Sequence, residues 1–352
     1  MKRKNNIHLV IGFFLIFLTA TVGKITAQEQ KVNVKEIVFE HLGDAYEWHI
    51  TNWGEKSIAI PLPVIVKSKE RGWHVFSSSH ISHGATHEGF HIAHEGKYAG
   101  KVVERNSAGE EIRPSIDISF TKNALGIFIS SCLLLLIILP VARWYKRGAQ
   151  HAPKGFRGAV ELLIVYVLDE IIKPCVGEEY RKYATYLLTI FFFIFINNLM
   201  GLIPFFPGGA NITGNIAVTL FLAFCTFLVI TFSGTKAYWK EILWPEVPTW
   251  LKAPVPIMPV IELFGIFTKP FALMIRLFAN IMAGHSVILG LVCLIFITVS
   301  MGATINTSMS IVAVLFSIFM NFLELLVAFI QAYVFTLLSS VFINMARVKH
   351  GS

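Results

Sequence analysis

Glu262, Lys269, Arg276, His285 and Glu324 stand in the last third of the chain, inside stretches otherwise apolar enough to cross a membrane, with Asn280, Asn321 and Gln331 as polar companions. A charge at mid-membrane costs about 2.5–3.5 kcal/mol on insertion scales. Lys269 and Glu262 lie near a helix end and can snorkel, but Arg276, His285 and Glu324 cannot all do so. Arginine keeps its proton in proteins, so Arg276 is a fixed cation that favours the ionised form of a nearby carboxyl. Glu324 and His285 can each gain and lose a proton, and burial moves both toward neutrality. A permanent cation beside a titratable acid and imidazole suits a proton path with an electrostatic barrier. The plainer reading is a buried Arg–Glu pair that only fixes helix packing.

Spacing sorts these groups. Asn321, Glu324 and Gln331 share one helical face, as do Arg276 and Asn280. His285 lies nine positions after Arg276, near the opposite side of an ideal helix and about 13.5 Å along it. The arginine and the histidine therefore serve different compartments. A voltage sensor would need a row of arginines. A metal-ion permease would need His and Asp at ligand spacing in the spans, and an intramembrane hydrolase an Asp dyad, HExxH or a Ser/His set. The spans contain none of these.

The 352-residue chain is 55% hydrophobic and only 15% charged, with 30 phenylalanines and a mean hydropathy of +0.63. Soluble domains carry about 25% charge, so the chain reads as a polytopic membrane protein. The net charge of +8 comes from bases beside the apolar spans, which sets membrane orientation and does not suggest nucleic acid. Cys132, Cys175, Cys225 and Cys293 are far apart, without a CxxC, which argues against disulfides and a Cys-based zinc site.

Five spans are expected: about Ala124–Trp144, Tyr183–Ile203, Ile212–Ser233, Val260–Ser300 and Met309–Met345. Ala159 to Ile172, broken by Glu161, Asp169 and Glu170, should lie along the interface. The fifth segment, about 36 residues without proline, would reach about 54 Å against a hydrocarbon layer of about 30 Å, so it must tilt steeply. The loop after span one holds Arg143, Lys146, Arg147, Lys154, Arg157, Lys173, Arg181 and Lys182, and the tail holds Arg347 and Lys349. The loops Pro204–Gly214 and Met301–Ser308 carry no charge. The bases place the N-terminus outside and the C-terminus in the cytoplasm.

Upstream, Lys2, Arg3 and Lys4 followed by apolar Ile7–Leu18 form an export signal, with cleavage after Gly23 or Ala27, or an uncleaved anchor. The organisation expected is a signal peptide over 1–27, an extracytoplasmic domain over 28–120 and a membrane domain over 121–348. In the middle part, Tyr46–Trp53, Ser57–Val66 and Trp73–Ser77 read as strands, and Asn52–Ser57 and Lys69–Gly72 as turns. His80, His83, His87, His91 and His94 recur every three or four residues, but Gly84, Gly89 and Gly96 interrupt any helix. A solvated or pH-sensitive surface is the preferred reading over a metal site. The fold expected is an all-α polytopic membrane protein, its last two helices long and steeply tilted, with a small β-rich extracytoplasmic domain.

The run Arg276-Leu277-Phe278-Ala279-Asn280-Ile281-Met282-Ala283-Gly284-His285 resembles the RLFxN-x-x-AG stretch of subunit a of the F-type ATP synthase. Glu324–Leu338 resembles that family's second C-terminal stretch. Asn198–Pro204 resembles its NLxGLxP segment, and Gly214–Leu220 its next span. The resemblance covers residues 120 to 348. It implies that Arg276 is the stator arginine facing the rotor ring's carboxylate, that Asn280 and Gln331 are its polar neighbours, and that His285 and Glu324 relay protons in the outer half-channel. Acid and histidine stand here in the reverse of the order common in bacteria. Glu262 resembles an acid near the cytoplasmic exit. The partners implied are the c-subunit ring, the b subunits and the F1 sector, in a cell inner membrane, with protons as cargo. Neither cofactor nor metal nor bond chemistry on ATP is implied. His41-Leu42-Gly43-Asp44-Ala45-Tyr46-Glu47-Trp48-His49 resembles the start of extended bacterial versions.

Overall fold

A computed structural model describes residues 43–53, 56–69, 71–93, 96–105, 110–146, 148, 151–203, 208–244 and 257–347. The export signal, His41 and His94 lie outside the described residues, as do the side chains of His49 and His83.

The N-terminal part is a set of short antiparallel sheets. β1 (Glu47–Trp53) pairs with β2 (Lys56–Pro61). β3 (Pro63–Ser68) lies between β4 (Gly72–Ser77) and β8 (Ile116–Asp117). β6 (Val102–Arg105) lies between β5 (Phe90–Ile92) and β7 (Glu111–Ile112). Alternation along β3 sends Val64 and Val66 into a core with Tyr46, Phe76, Ile81, Phe90 and Val102. The single strand expected over Ser57–Val66 is two strands that break at Leu62. Prolines on both sides of Leu62 have no N–H for a ladder. Leu62 instead donates its N–H to Ser78 Oγ at 3.0 Å and accepts from Ser78 N at 2.9 Å. The histidine run forms no helix. Ser78–His80 and Ser82–Gly84 are 3-10 turns, and His91 sits in β5. The His80 and His87 rings meet at a tilt, centroids 4.6 Å apart, His74 meets Glu88 at 2.5 Å and His91 meets Glu111 at 2.9 Å. Among the described residues no three His, Cys, Asp or Glu converge on a metal position.

The remainder is helical. α1 (Lys122–Lys146) leads to α2 (Phe156–Tyr166), which runs through a π-helical turn (Val167–Ile172) into α3 (Lys173–Val176). Next come α4 (Tyr180–Leu202), α5 (Ile216–Ser233), the short α6 (Lys236–Leu243), α7 (Ile257–Ile297) and α8 (Ala303–Met345). Among the described residues, α1, α4, α5, α7 and α8 are long and apolar enough to span a membrane. α7 has 41 residues and α8 has 43. At about 1.5 Å per residue each exceeds 60 Å, about twice the hydrocarbon thickness. The turn between them is shorter than the expected loop: a 3-10 turn (Thr298–Met301) and Gly302, with α8 already begun at Ala303. Thr298 Oγ1, donating to Asn306 Oδ1 at 2.9 Å, closes it.

The bundle core joins Leu187, Phe191 and Ile194 of α4 to Leu273, Leu277 and Ile281 of α7 and to Ala332, Phe335 and Ile343 of α8. Steps of three, four and eight residues keep each set on one helix face. Val167, Ile171 and Ile172 of the π turn enter the same core, while Asp169 and Glu170 remain exposed.

Candidate functional site: a buried acid–imidazole pair and an outward arginine

The antiparallel α7 and α8 bring His285 and Glu324 together. Nδ1 of His285 lies 2.9 Å from Oε1 of Glu324, with side chains 15% and 4% exposed. The approach is off the hydrogen-bonding direction, and neither carboxylate oxygen has an aligned partner among the described residues. A buried carboxylate with no aligned hydrogen bond is costly to hold in its charged form. Two glycines make room for the pair. A Cβ on Gly284 would lie 2.9 Å from Oε1 of Glu324, and a Cβ on Gly201 of α4 would lie 3.4 Å from Nε2 of His285.

Further polar groups surround the pair. Asn198 of α4 donates Nδ2 to the carbonyl of Ala328 at 3.1 Å and accepts from Thr213 Oγ1 at 2.7 Å, linking α8, α4 and the α4–α5 loop. Asn211 on that loop accepts from Gly214 N at 3.0 Å, and its buried Nδ2 has no partner among the described residues. The Ala210 carbonyl and the His285 ring both converge on Gly201. Sequence reasoning missed Asn198, Asn211, Thr213, Gly201 and Gly284 as site residues. The signals were adjacent asparagines and interior glycines in apolar segments.

Arg276 and Asn280 point elsewhere. Both are exposed on the outward face of α7, beside exposed Phe271 and Ile275. No hydrogen bond joins Arg276 to Asn280 or Gln331 among the described residues. Gln331 is buried. Continuing the antiparallel register from Gly284 opposite Glu324, seven residues along each helix, puts Gln331 level with Leu277, next to the arginine in height but facing the interior. Glu262 lies half-buried about 21 Å along α7 from Arg276. There, burial first and then the charge of Glu262 raise the pKa of Tyr238 on α6. At this same end Arg347 pairs with Glu179 and donates to Tyr183 Oη at 3.2 Å.

A buried acid–imidazole pair, polar groups beside it and five long apolar helices, one of them carrying an exposed arginine, define a multi-pass membrane protein. Comparison with known proteins gives the family. Residues 125–344 match the ATP synthase A chain family, and residues 37–124 match a domain of unknown function. ATP synthase subunit a of Pelodictyon phaeoclathratiforme is 42% identical over 243 residues, 67% of this chain and 68% of the relative. ATP synthase subunit a of Chloroherpeton thalassium is 42% identical over 245 residues, 67% and 69% of the two chains. ATP synthase subunit a 2 of Prosthecochloris aestuarii is 38% identical over 290 residues, 79% and 85%. That last alignment is longer than the helical part, so it takes in some of the strand region. The chain belongs to the ATP synthase A chain family, the non-catalytic, proton-translocating membrane subunit of that complex.

Proposed function

We propose that Arg276 is the electrostatic gate between two half-channels, and that the face of α7 carrying it meets a ring of c subunits. One observation carries this: a permanent cation stands near the middle of a 41-residue apolar helix, exposed among Phe271 and Ile275, in a position that lipid would oppose. No ion pair reaches it from the described residues, and a ring carboxylate from another chain suits it. Arg276 lowers the pKa of each arriving carboxyl, discharges its proton and blocks a direct leak. Asn280, one turn along, offers the same ring a polar contact. Gln331 backs the helix pair at that height.

Protons arrive by way of Asn211, Thr213 and Asn198, pass His285 and Glu324, and load the ring. They leave past Glu262. The His285–Glu324 pair passes one proton across its 2.9 Å contact, a distance within reach of general acid–base exchange. The b subunits and the F1 sector complete the assembly, in a cell inner membrane with the C-terminus cytoplasmic. An export signal over 1–27 precedes an extracytoplasmic domain over 28–120 and a membrane domain over 121–348, and the change from strands to helices between Asp117 and Lys122 supports the second boundary.

ATP-driven acidification of vesicles carrying the assembled complex tests this. Arg276→Ala should abolish pumping, at least about a hundredfold, equivalent to about 2.7 kcal/mol, while F1 stays bound. Undiminished pumping would make the arginine structural and remove the gate.

A further inference from the structure

The run from Asp44 to Trp48 is tied almost wholly to other parts of the chain. Tyr46 donates Oη to Asp117 at 2.6 Å, and Glu47 accepts from Ser82 Oγ at 2.9 Å, which fastens the run to the β region. Its other members reach the membrane helices. Asp44 Oδ1 accepts the N–H of Asn123 at 3.0 Å and the Ala45 carbonyl accepts that of Lys122 at 2.8 Å, so a distant segment caps the first turn of α1. Trp48, 3% exposed, forms one buried cluster with Ala210 and Ile212 of the α4–α5 loop. Its cross-strand partner Ile60 packs on the same cluster with Leu125, Ile127 and Ile129 of α1.

The loop is therefore held between the β1–β2 hairpin and α1. The contact with α1 is close enough to require Gly126, where a Cβ would lie 2.9 Å from both Ala210 Cβ and Ile212 Cδ1. The same few loop residues face two ways. Ala210 and Ile212 take Trp48, while Thr213 donates to Asn198, Asn211 holds the loop's own Gly214 N–H, and the Ala210 carbonyl converges with the His285 ring on Gly201.

We infer that the N-terminal β region is a brace for the outer half-channel, with Trp48 and Asp44 as positioning residues that hold the α4–α5 loop against His285. The inference rests on the proton route proposed above. The brace touches neither proton nor ring; it sets where Asn211 and Thr213 stand. Removing the indole leaves a cavity beside Ala210 and Ile212, and the loop shifts relative to the His285–Glu324 pair. That displacement alters both the rate of proton delivery and the pH at which the pair loads.

Proton-driven ATP synthesis by the assembled complex in proteoliposomes, measured against the pH on the β-region side, tests this. Trp48→Ala should lower flux per complex about threefold or more and move the pH midpoint by about half a unit. Trp48→Phe should restore most of both. Asp44→Ala should act in the same direction and Asp44→Asn less. Unchanged flux and midpoint per assembled complex overturn the inference. So does loss of assembly in both Trp48→Ala and the milder Trp48→Leu, which would make the region a folding element only. His285→Ala and Arg276→Ala measured alongside separate the two levels. If these abolish flux while the Trp48 variants do not, only the brace fails; if these also conduct, the route itself fails.

Discussion

Whether Glu324 can lie beside His285 is decided by a missing methyl group at position 284. Glycine inside a helix is disfavoured by about 1 kcal/mol relative to alanine, yet a Cβ there would meet Oε1 of Glu324 at 2.9 Å and Cδ at 3.2 Å. Gly284→Ala should thus stabilise α7 locally and push the carboxylate off the imidazole. Complex content should hold while acidification per complex falls several-fold. Gly201→Ala brings a Cβ only to ordinary contact with His285 Nε2, at 3.4 Å, and should do less; equal effects would refute the steric account. His285 and Glu324 were legible in the sequence because ionisable residues are rare in apolar spans. Gly284 was not, because its reason lies forty residues away on another helix. A second residue effect belongs to the β region. Burial pushes the pKa of Asp117 up, but hydrogen bonds from Ser119 and Tyr46, with the Arg113 guanidinium, outweigh it and hold the carboxyl below its ordinary value of 3.8. The stabilisation is present above that ordinary value and is lost as pH falls through the lower native one. Amide exchange at Val66 and Val102, corrected for intrinsic rates in the intact complex, should accelerate in that acid window. Asp117→Asn should already show the faster exchange at pH 7.

Among the elements, the five spans and the half-buried helix between the first two were readable from apolar run length and the placement of charge. What escaped depended on partners or on very short signals. Strands such as β7 and β8, two residues each, are too short to show a period of two and exist only by pairing with β6 and β3. The extension of α8 back to Ala303 escaped because Thr304, Asn306, Thr307 and Ser308 read as loop. In the structure Thr298, through Asn306, and the Gly302 carbonyl, through Asn306 N at 3.0 Å, cap that turn. Gly302 itself has φ 101 and ψ 155, a region nearly reserved for glycine, costing other residues about 1–3 kcal/mol. Among the described residues, nothing beyond its own turn of chain lies within 4 Å of where its Cβ would be, so Gly302→Ala would incur the backbone cost alone. The thermal dissociation midpoint of the solubilised complex should drop while flux per complex stays at the wild-type level. An unchanged midpoint would mean that the turn relaxes without strain.

At the scale of the whole molecule, the two ends of the bundle differ in charge. One end gathers Lys173, Arg181, Lys182, Lys236, Lys240 and Arg347, and there Arg347 pairs with Glu179 and the Ala346 carbonyl accepts from Thr235 N at 3.0 Å. The other end carries the strands, the Ala210–Asn215 loop and the Gly302 turn, and between Gly201 and Ser233 the sequence has no charged residue. Basic residues are retained on the cytoplasmic side during insertion. Five crossings, one for each of the long apolar helices among the described residues, would put the strands and the C-terminus on opposite faces of the membrane. On the proposed route the β region stands on the uptake side, against the loop that Trp48 holds, and Glu262 stands beside the basic end. In a cysteine-free chain, a membrane-impermeant thiol reagent applied to spheroplasts should label Lys97→Cys and spare Lys236→Cys. Both positions are exposed in the fold, so the contrast reports sidedness and not burial, and inverted vesicles should exchange the two results. Labelling of Lys236→Cys from outside would reverse the polarity of the proton path, turning the His285–Glu324 side into the exit and the Glu262 side into the inlet, with Arg276 between them unchanged.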